Sequence, residues 1–96
     1  MTNYELMYIL DSAVDDAAKA AFTENVQKII TDASGVVDKV DEWGIRKLAY
    51  PIQKKSEGFY VVIDFQAESD LPRELGRRLR IADACVRHII INKDDE

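Results

Sequence analysis

The chain has 96 residues, of which 47 % are hydrophobic and 32 % charged, a size and composition typical of one soluble globular domain spanning residues 1–96. No apolar stretch is long enough to cross a bilayer, and the N-terminus lacks the basic start and apolar run of a secretory signal, so we expect a cytoplasmic protein. The lone Cys85 excludes an internal disulfide and a cysteine metal cluster, and we interpret it as a small buried apolar residue.

The net charge of -5 disfavours nucleic-acid binding, but the charges are unevenly distributed. Residues 1–45 carry three basic and nine acidic side chains, whereas residues 46–93 carry ten basic and six acidic ones. Because salt screens exposed charges beyond roughly 10 Å, a local basic patch can attract phosphate on an acidic protein. A phosphate-binding surface would therefore lie in the second half of the chain, although a merely solvated mixture of charges fits equally well.

The first third of the chain predicts a strand followed by a helix. Tyr4–Leu10 is rich in aromatic and branched residues, with Glu5 on the side opposite its apolar face, as is typical of a half-buried strand. Ser12 opens a sequence that resembles a capping box, and apolar residues then recur at helical spacing as far as Ala33. Gly35 is the expected left-handed stop of this helix.

The rest of the chain predicts a hairpin, a second helix and a final strand. Gly44 marks a bulge or bend in the first arm of the hairpin. The second helix starts at Ser69 or Asp70 and tolerates Pro72 in its first turn. Its apolar stripe consists of Leu71, Leu75, Leu79 and Ala82. The other segments are the extended arm Val36–Ile52, the polar connection Gln53–Gly58, the strand at residues 59–66 and the final strand Val86–Asn92.

This order of elements predicts an α+β fold, the ferredoxin-like βαββαβ sandwich, in which two helices cover one face of a four-stranded antiparallel sheet. The residues expected to face the helices are Leu6, Tyr8, Leu10, Phe59, Val61, Ile63 and Phe65. The uncovered face would then receive Glu5, Met7, Ile9, Tyr60, Val62 and Asp64. Apolar side chains on an uncovered face indicate a surface for a partner, although strands also favour such residues for their own sake.

The sequence offers no catalytic constellation. His88 follows Arg87 in a predicted strand without an evident orienting partner, so we interpret it as a structural or RNA-contacting residue. The loop at residues 11–16 is acidic and would repel the phosphate that ferredoxin-like phosphatases hold. We therefore expect no enzymatic activity, no metal, no cofactor and no small-molecule substrate.

Two binding modules share the predicted fold and stay open as alternatives. The RNA-recognition motif has the same strand order, but Glu57 stands where that motif has a basic residue, and Phe59 and Phe65 share the parity assigned to the core. Base stacking on the open sheet is therefore disfavoured. The other alternative is a regulatory or dimerisation module that self-associates through the open face, which would sediment as a tight homodimer.

The segment Asp41–Ile52 (DEWGIRKLAYPI) resembles the signature of the bacterial small-subunit ribosomal protein S6 family. The similarity extends to Tyr4-Glu5, to Gly58-Phe59-Tyr60 and to the run from Arg80 to His88, and so covers essentially the whole chain. The resemblance implies a structural constituent of the 30S ribosomal subunit, in the cytoplasm, that supports ribosome assembly and translation. It also implies binding to the central domain of 16S ribosomal RNA together with ribosomal protein S18.

The same resemblance implies phosphate contacts for Arg46, Lys47 and Arg87. Their roles would be to neutralise phosphate charge and to position the protein on the RNA. Thr2 and Asn3 replace basic residues that are common at this point in the family, although Asn3 can still donate a hydrogen bond. Charge alone adds Lys54 and Lys93. The predicted RNA-binding residues are Asn3, Arg46, Lys47, Lys54, Arg87, His88 and Lys93, and the predicted partner-binding residues are Trp43, Tyr50 and Tyr60.

The second predicted helix carries a basic stripe formed by Arg73, Arg77 and Arg80. Glu74 and Arg78 are spaced as an i,i+4 ion pair on the same helix. We interpret this stripe as a solvated helix face.

Overall fold

The computed structural model describes residues 1–52 and 55–95, and for residues 48–52, 55, 56 and 95 it describes only the backbone. Its elements are β1 (Thr2–Asp11), α1 (Asp16–Asp32), β2 (Val36–Ile52), β3 (Lys55–Ala67), α2 (Leu71–Ile81), β4 (Cys85–Asn92) and a 3₁₀ turn, Lys93–Asp95, named here the C-terminal turn. The four strands form one sheet in the order β2-β3-β1-β4, and each neighbouring pair is antiparallel. The predicted βαββαβ sandwich is confirmed.

The core lies between the two helices and one face of the sheet. Alternate residues of the two central strands are buried there, as the period of two predicts. These are Tyr4, Leu6, Tyr8 and Leu10 on β1 and Val61, Ile63, Phe65 and Ala67 on β3, with Phe59 partly buried against them. The helices contribute Val26, Ile30, Leu71, Leu75 and Leu79. The predicted helix-facing set is thus confirmed, because strand parity is a local property that sequence alternation records directly.

Helix α1 starts later than its sequence indicates. The N-cap is Asp15 and not Ser12, because the Asp15 Oδ1 atom accepts a hydrogen bond of 2.7 Å from the Ala18 backbone N–H. The buried stripe is Thr23, Val26 and Ile30, whereas the alanines counted at helical spacing near the start, residues 17, 18 and 21, are exposed. These alanines therefore repeat with the spacing of a helix, but they do not lie on the face of α1 that packs against the core.

The end of α1 is also built differently from the prediction. The left-handed residue is Ser34, with φ of 65°, and not Gly35. The Gly35 N–H donates to the Ile30 carbonyl at 2.9 Å, which satisfies one of the last free carbonyls of the helix. Gly35 is required for space, because a Cβ there would lie 2.8 Å from the Gln66 carbonyl oxygen and 2.8 Å from Ile30.

The hairpin of β2 and β3 is longer than the sequence indicates. Gln53–Gly58 is not a connection as predicted, because β3 already begins at Lys55, which pairs with Ile52. Strand β1 stops at the pair Asp11–Gly58. The hairpin therefore runs on beyond the sheet over residues 46–52 and 55–57, which we name the hairpin arm. The predicted irregularity at Gly44 is confirmed, with φ of 82° and a shift in register beside it.

The N-cap of helix α2 is Asp70, one of the two residues predicted to start it, and the first helical residue is Leu71. Pro72 lies in the first turn, as predicted. Ala82 does not belong to the apolar stripe of α2, because it lies after the last helical residue. Gly76 faces β4, where a Cβ would meet the His88 Nε2 atom at 3.5 Å, an ordinary van der Waals contact.

Candidate RNA and protein interface

The sheet face opposite the helices, named here the open face, has an apolar centre. Met7 of β1 pairs with Val62 on β3 and with Ile89 on β4, so three apolar side chains cross this face in one row. In the next row Ile9 lies between Tyr60 and Arg87 and is only 4 % exposed. Side chains on the neighbouring strands thus bury Ile9 although the helices pack on the other face.

An aromatic pair borders this centre on the side of β2. The rings of Trp43 and Tyr60 are stacked, with centroids 6.3 Å apart and an angle of 7° between the planes. The positive φ of Gly44 and the register shift between Glu42 and Gly44 accompany this arrangement. Trp43 remains 47 % exposed, so a large apolar surface faces solvent. Two of the three residues predicted to bind a partner are therefore neighbours, and the side chain of the third, Tyr50, lies outside the described residues.

One end of the open face, named here the basic end, carries two arginines together with the carboxylate of Asp11, which pairs with Gly58 at the end of β1. Arg46 pairs with Gly58, and Arg87 pairs with Ile9, which places both arginines on this face near the end of β1. They lie on the two outer strands of a four-stranded sheet, a separation of roughly 14 Å at the usual strand spacing. Lys47 alternates to the other side of the hairpin arm, and Lys54 lies outside the described residues.

The opposite end of the open face is acidic and partly neutralised from within. Glu5 and Asp64 pair across β1 and β3. The Lys93 Nζ atom lies 3.7 Å from the Asp64 Oδ1 atom, which is buried and makes no hydrogen bond to the described residues. Lys93 is therefore directed onto a carboxylate of its own chain in this arrangement.

Asn3 lies at this same end and is held by the C-terminal turn. Its backbone N–H and its Nδ2 group donate to the two Asp94 carboxylate oxygens at 3.0 and 3.2 Å. These hydrogen bonds, the backbone one first, lower the pKa of Asp94. Six residues of β1, roughly 20 Å, separate Asn3 from the row that holds Arg87. The structure thus places Arg46 and Arg87 at one end of the open face and Asn3 and Lys93 at the other.

His88 belongs to neither end of the open face. It pairs with Tyr8, whose side chain is in the core, and so lies on the helix-covered side of the edge strand β4 beside Gly76. Partial burial, and secondarily the nearby Arg80 charge, lower the pKa of His88. Near neutral pH this histidine is therefore mainly uncharged, which suits hydrogen bonding better than neutralisation of phosphate.

The open face also contains two residues that sequence reasoning did not assign to it. Ile89 and Ile91 alternate with the helix-facing residues of β4, and Ile91 is 43 % exposed. The signal was present in the parity of the final strand, but the run of three isoleucines has no polar alternation to reveal which members face outward.

Few groups in the described part of the chain could support chemistry. Within residues 1–52 and 55–95, no three His, Cys, Asp or Glu side chains are grouped to hold a metal ion. Burial raises the pKa of the Cys85 thiol to about 11, which opposes its use as a nucleophile. None of the helices in this part of the chain is both long and apolar enough to cross a bilayer. A half-open cavity of about 230 Å³ between the helices is lined by Ile29, Asp32, Ala33, Leu71, Glu74 and Arg78.

Comparison with known proteins identifies the family. The sequence profile of the family described as ribosomal protein S6 matches residues 3–92. The chain belongs to the ribosomal protein S6 family. The small ribosomal subunit protein bS6 of Clostridium novyi is 47 % identical over 94 residues, which are 98 % of this chain and 99 % of that protein. Its counterpart in Alkaliphilus metalliredigens is 48 % identical over 91 residues, or 95 % and 96 % of the two chains.

A solved structure agrees with this assignment. The 30S ribosomal protein S6 of Thermotoga maritima matches with a TM-score of 0.92 and 34 % identity, over 98 % of this chain and 89 % of that one. The prediction made from the Asp41–Ile52 segment is confirmed, and the two alternative modules are set aside. This family is a structural, RNA-binding component of the small ribosomal subunit, is not enzymatic, and acts in translation on the cytoplasmic ribosome.

Proposed function

We propose that this chain binds the central domain of 16S ribosomal RNA jointly with ribosomal protein S18, as a structural constituent that supports assembly of the small subunit. The observation that carries the proposal is the division of the open face into an apolar, aromatic centre and a basic end. One part suits a protein partner and the other suits phosphate. A chain with net charge -5 gains little from RNA alone, so a joint complex explains how it is held there.

The basic end is the proposed contact with RNA. Arg46 and Arg87 point from opposite edges of the sheet onto the open face. The hairpin arm extends beyond the sheet, and residues 46–57 contain four basic residues and one acidic residue. Such contacts neutralise phosphate and set the position of the protein without reading base sequence.

The apolar centre is the proposed contact with S18. Trp43 and Tyr60 form a rigid pair at its border, and aromatic side chains of this kind anchor protein interfaces at a low entropic cost. The carboxylates of Glu5 and Asp64 lie on the same face, which suits a partner of net positive charge. Tyr50 keeps its predicted partner-binding role as part of this proposal.

The remaining predicted RNA contacts have secondary roles in the proposal. Asn3 and Lys93 would contact RNA only after release from Asp94 and Asp64, so their contribution is expected to be small. His88 would act as a neutral hydrogen-bonding group at the edge of β4. Lys54, which lies outside the described residues, would add charge.

The test measures binding to a central-domain RNA fragment by the chain, by S18 and by both together, at several salt concentrations. We expect the pair to bind more tightly than either protein alone, with an affinity that falls as salt rises. The double variant Arg46→Ala/Lys47→Ala should weaken the joint complex by about 1 to 3 kcal/mol. If the pair binds no better than the separate proteins, the proposal is wrong.

A matched control removes the same charge elsewhere. Lys28→Ala, compared with the single variant Arg46→Ala, deletes one exposed basic residue from helix α1 in the acidic first part of the chain. Lys28→Ala should bind like the wild type within a factor of about three, because Lys28 lies on a helix and not on the open face. Equal losses in the two single variants would show a general charge effect and would remove Arg46 from the site.

A further inference from the structure

Helix α2 carries four exposed arginines that the structure separates into two pairs. The helix runs from Leu71 to Ile81, and arginines occupy positions 73, 77, 78 and 80. The sequence indicated one solvated basic stripe. Their contacts within the chain instead distinguish the pair at 77 and 78 from the pair at 73 and 80.

The first pair is bound to a carboxylate on the same helix. Arg77 donates from Nη2 and Nε to the two oxygens of Glu74 at 2.6 and 3.1 Å, and Arg78 donates from Nε at 2.9 Å. Hydrogen bonds from Arg77 and then Arg78 lower the pKa of Glu74 to about 2. Glu74 therefore stays ionised and offsets part of the positive charge of both arginines.

The second pair has no such partner. Among the described residues, no carboxylate forms an ion pair with Arg73 or Arg80. Seven residues of α-helix make nearly two full turns, so these two guanidinium groups leave the same flank of α2 about 10.5 Å apart along the axis. Gly76 is the position of α2 that closely approaches His88 and Ile90 of β4. It lies three residues after Arg73 and four before Arg80, and so on the same side of the helix as both. Arg73 and Arg80 therefore lie on the flank of the helix that borders the edge strand.

This flank is continuous with the basic end of the open face. Arg80 lies close enough to His88 to influence it electrostatically, and the residue before His88 in β4 is Arg87, which points to the open face. Basic groups thus pass from α2 around the edge of the sheet to the surface already proposed for RNA. Asp83 is an exposed acidic group in the turn between α2 and β4. This single carboxylate is outnumbered by the arginines, so the flank keeps an excess of positive charge.

We propose that Arg73 and Arg80, with His88 and Arg87, form a second phosphate-binding surface along the α2–β4 edge, which holds a segment of RNA backbone that continues from the basic end of the open face. The inference rests on the proposed function and adds to it a surface outside the sheet face. RNA is favoured over a protein partner because the flank presents guanidinium groups. The exposed apolar residue of α2, Ile81, is about 100° around the helix from Arg80.

The experiment compares two double variants of the same helix. Arg73→Ala/Arg80→Ala and Arg77→Ala/Arg78→Ala remove equal charge, and each is tested with S18 for binding to the central-domain RNA fragment across a salt series. We expect the first variant to bind about 10- to 100-fold more weakly, with a salt dependence reduced by roughly one to two released counterions. The second should bind within about threefold of the wild type, because the guanidinium groups of Arg77 and Arg78 already donate to Glu74 and are not directed at a ligand.

Two further measurements separate a contact from a structural effect. Arg73→Lys/Arg80→Lys should recover most of the affinity, since a phosphate contact needs the charge more than the guanidinium shape. Urea unfolding of the variants at Arg73 and Arg80 should give the wild-type midpoint, because these side chains are exposed. Arg77→Ala/Arg78→Ala should lower the midpoint only slightly, because the ion pairs that it removes are on the surface. A loss of affinity that followed a loss of stability would overturn the inference.

The possible outcomes distinguish this inference from the proposed function. If the wild-type pair fails to bind the RNA, the proposed function and this inference both fall. If the wild type binds and the two alanine variants are equally impaired or equally unimpaired, only the inference falls. If Arg73→Ala/Arg80→Ala weakens the association with S18 in the absence of RNA, the flank is a protein contact and the inference is wrong.

Discussion

The two faces of the sheet carry similar apolar side chains in different surroundings. On β1, Leu6 pairs with Ile63 and Ile90 beneath the helices, and the next residue, Met7, pairs with Val62 and Ile89 on the open face. Leu6 is fully buried, whereas the open-face row keeps partial contact with solvent. Similar residue types therefore serve the folded state on one side and remain available to a partner on the other. The helices that cover one face, and not the residue types, decide which side chains are buried.

The largest effect should come from truncating the helix-covered face. Leu6→Ala should lower the free energy of unfolding by about 3 kcal/mol, because it removes buried methyl groups and leaves a cavity. Met7→Ala, one residue away on the open face, should cost less than about 1 kcal/mol. Urea denaturation of both variants measures the difference, and equal losses would mean that the open face is packed as tightly as the core.

Two glycines extend the comparison to the backbone. Gly35→Ala should cost about 2 to 3 kcal/mol, because the new Cβ would meet backbone and side-chain atoms at 2.8 Å. Gly44→Ala should cost about 1 kcal/mol, since its φ of 82° is unfavourable for alanine but no atom lies within 4 Å. Thermal unfolding would rank the two, and a larger loss at Gly44 would contradict the packing described at Gly35.

A smaller effect is expected from the buried polar pair of the core. Tyr8 and Thr23 share a hydrogen bond of 2.6 Å, so Tyr8→Phe leaves the Thr23 hydroxyl unpaired and should cost about 1 kcal/mol. Burial raises the pKa of Tyr8 from 10.0 to about 12. Stability from this group is complete below pH 10 and is lost as the pH rises towards 12, because the unfolded tyrosine ionises first.

Unfolding measured from pH 8 to pH 12 checks this dependence. The wild type should lose more stability over that range than Tyr8→Phe, which no longer has the titrating hydroxyl. Parallel curves for the two proteins would show that folding does not raise the pKa of Tyr8.

The smallest effect on stability is expected at the aromatic border of the open face. Trp43→Ala should change the free energy of unfolding by less than about 1 kcal/mol, because nearly half of the side chain, 47 %, already faces solvent. It should nevertheless weaken binding to S18 about tenfold if Trp43 anchors the partner. Ile81→Ala removes an exposed apolar side chain on α2, 68 % exposed, and should leave that affinity unchanged in calorimetric titration. A similar loss for both variants would argue against a localised site.

The amino-acid sequence determined the order of the elements, the helix-facing parity of β1 and β3, and the family. Each of these is encoded locally, by the spacing of apolar residues or by a contiguous motif such as residues 41–52. Element ends were less well determined. Asp15 replaced Ser12 as the N-cap and Ser34 replaced Gly35 as the left-handed residue, because several nearby residues can fill such positions and packing chooses among them.

Only the tertiary structure decided how the candidate site is distributed. It joined Asn3 to Asp94 and Lys93 to Asp64 at one end of the sheet, and it placed Arg46 with Arg87 at the other, through contacts between residues far apart in the chain. It also divided the arginines of α2 into a pair bound to Glu74 and a pair beside β4. Sequence gives the identity of a charged residue, but its usefulness depends on distances to other charges that only the folded chain sets.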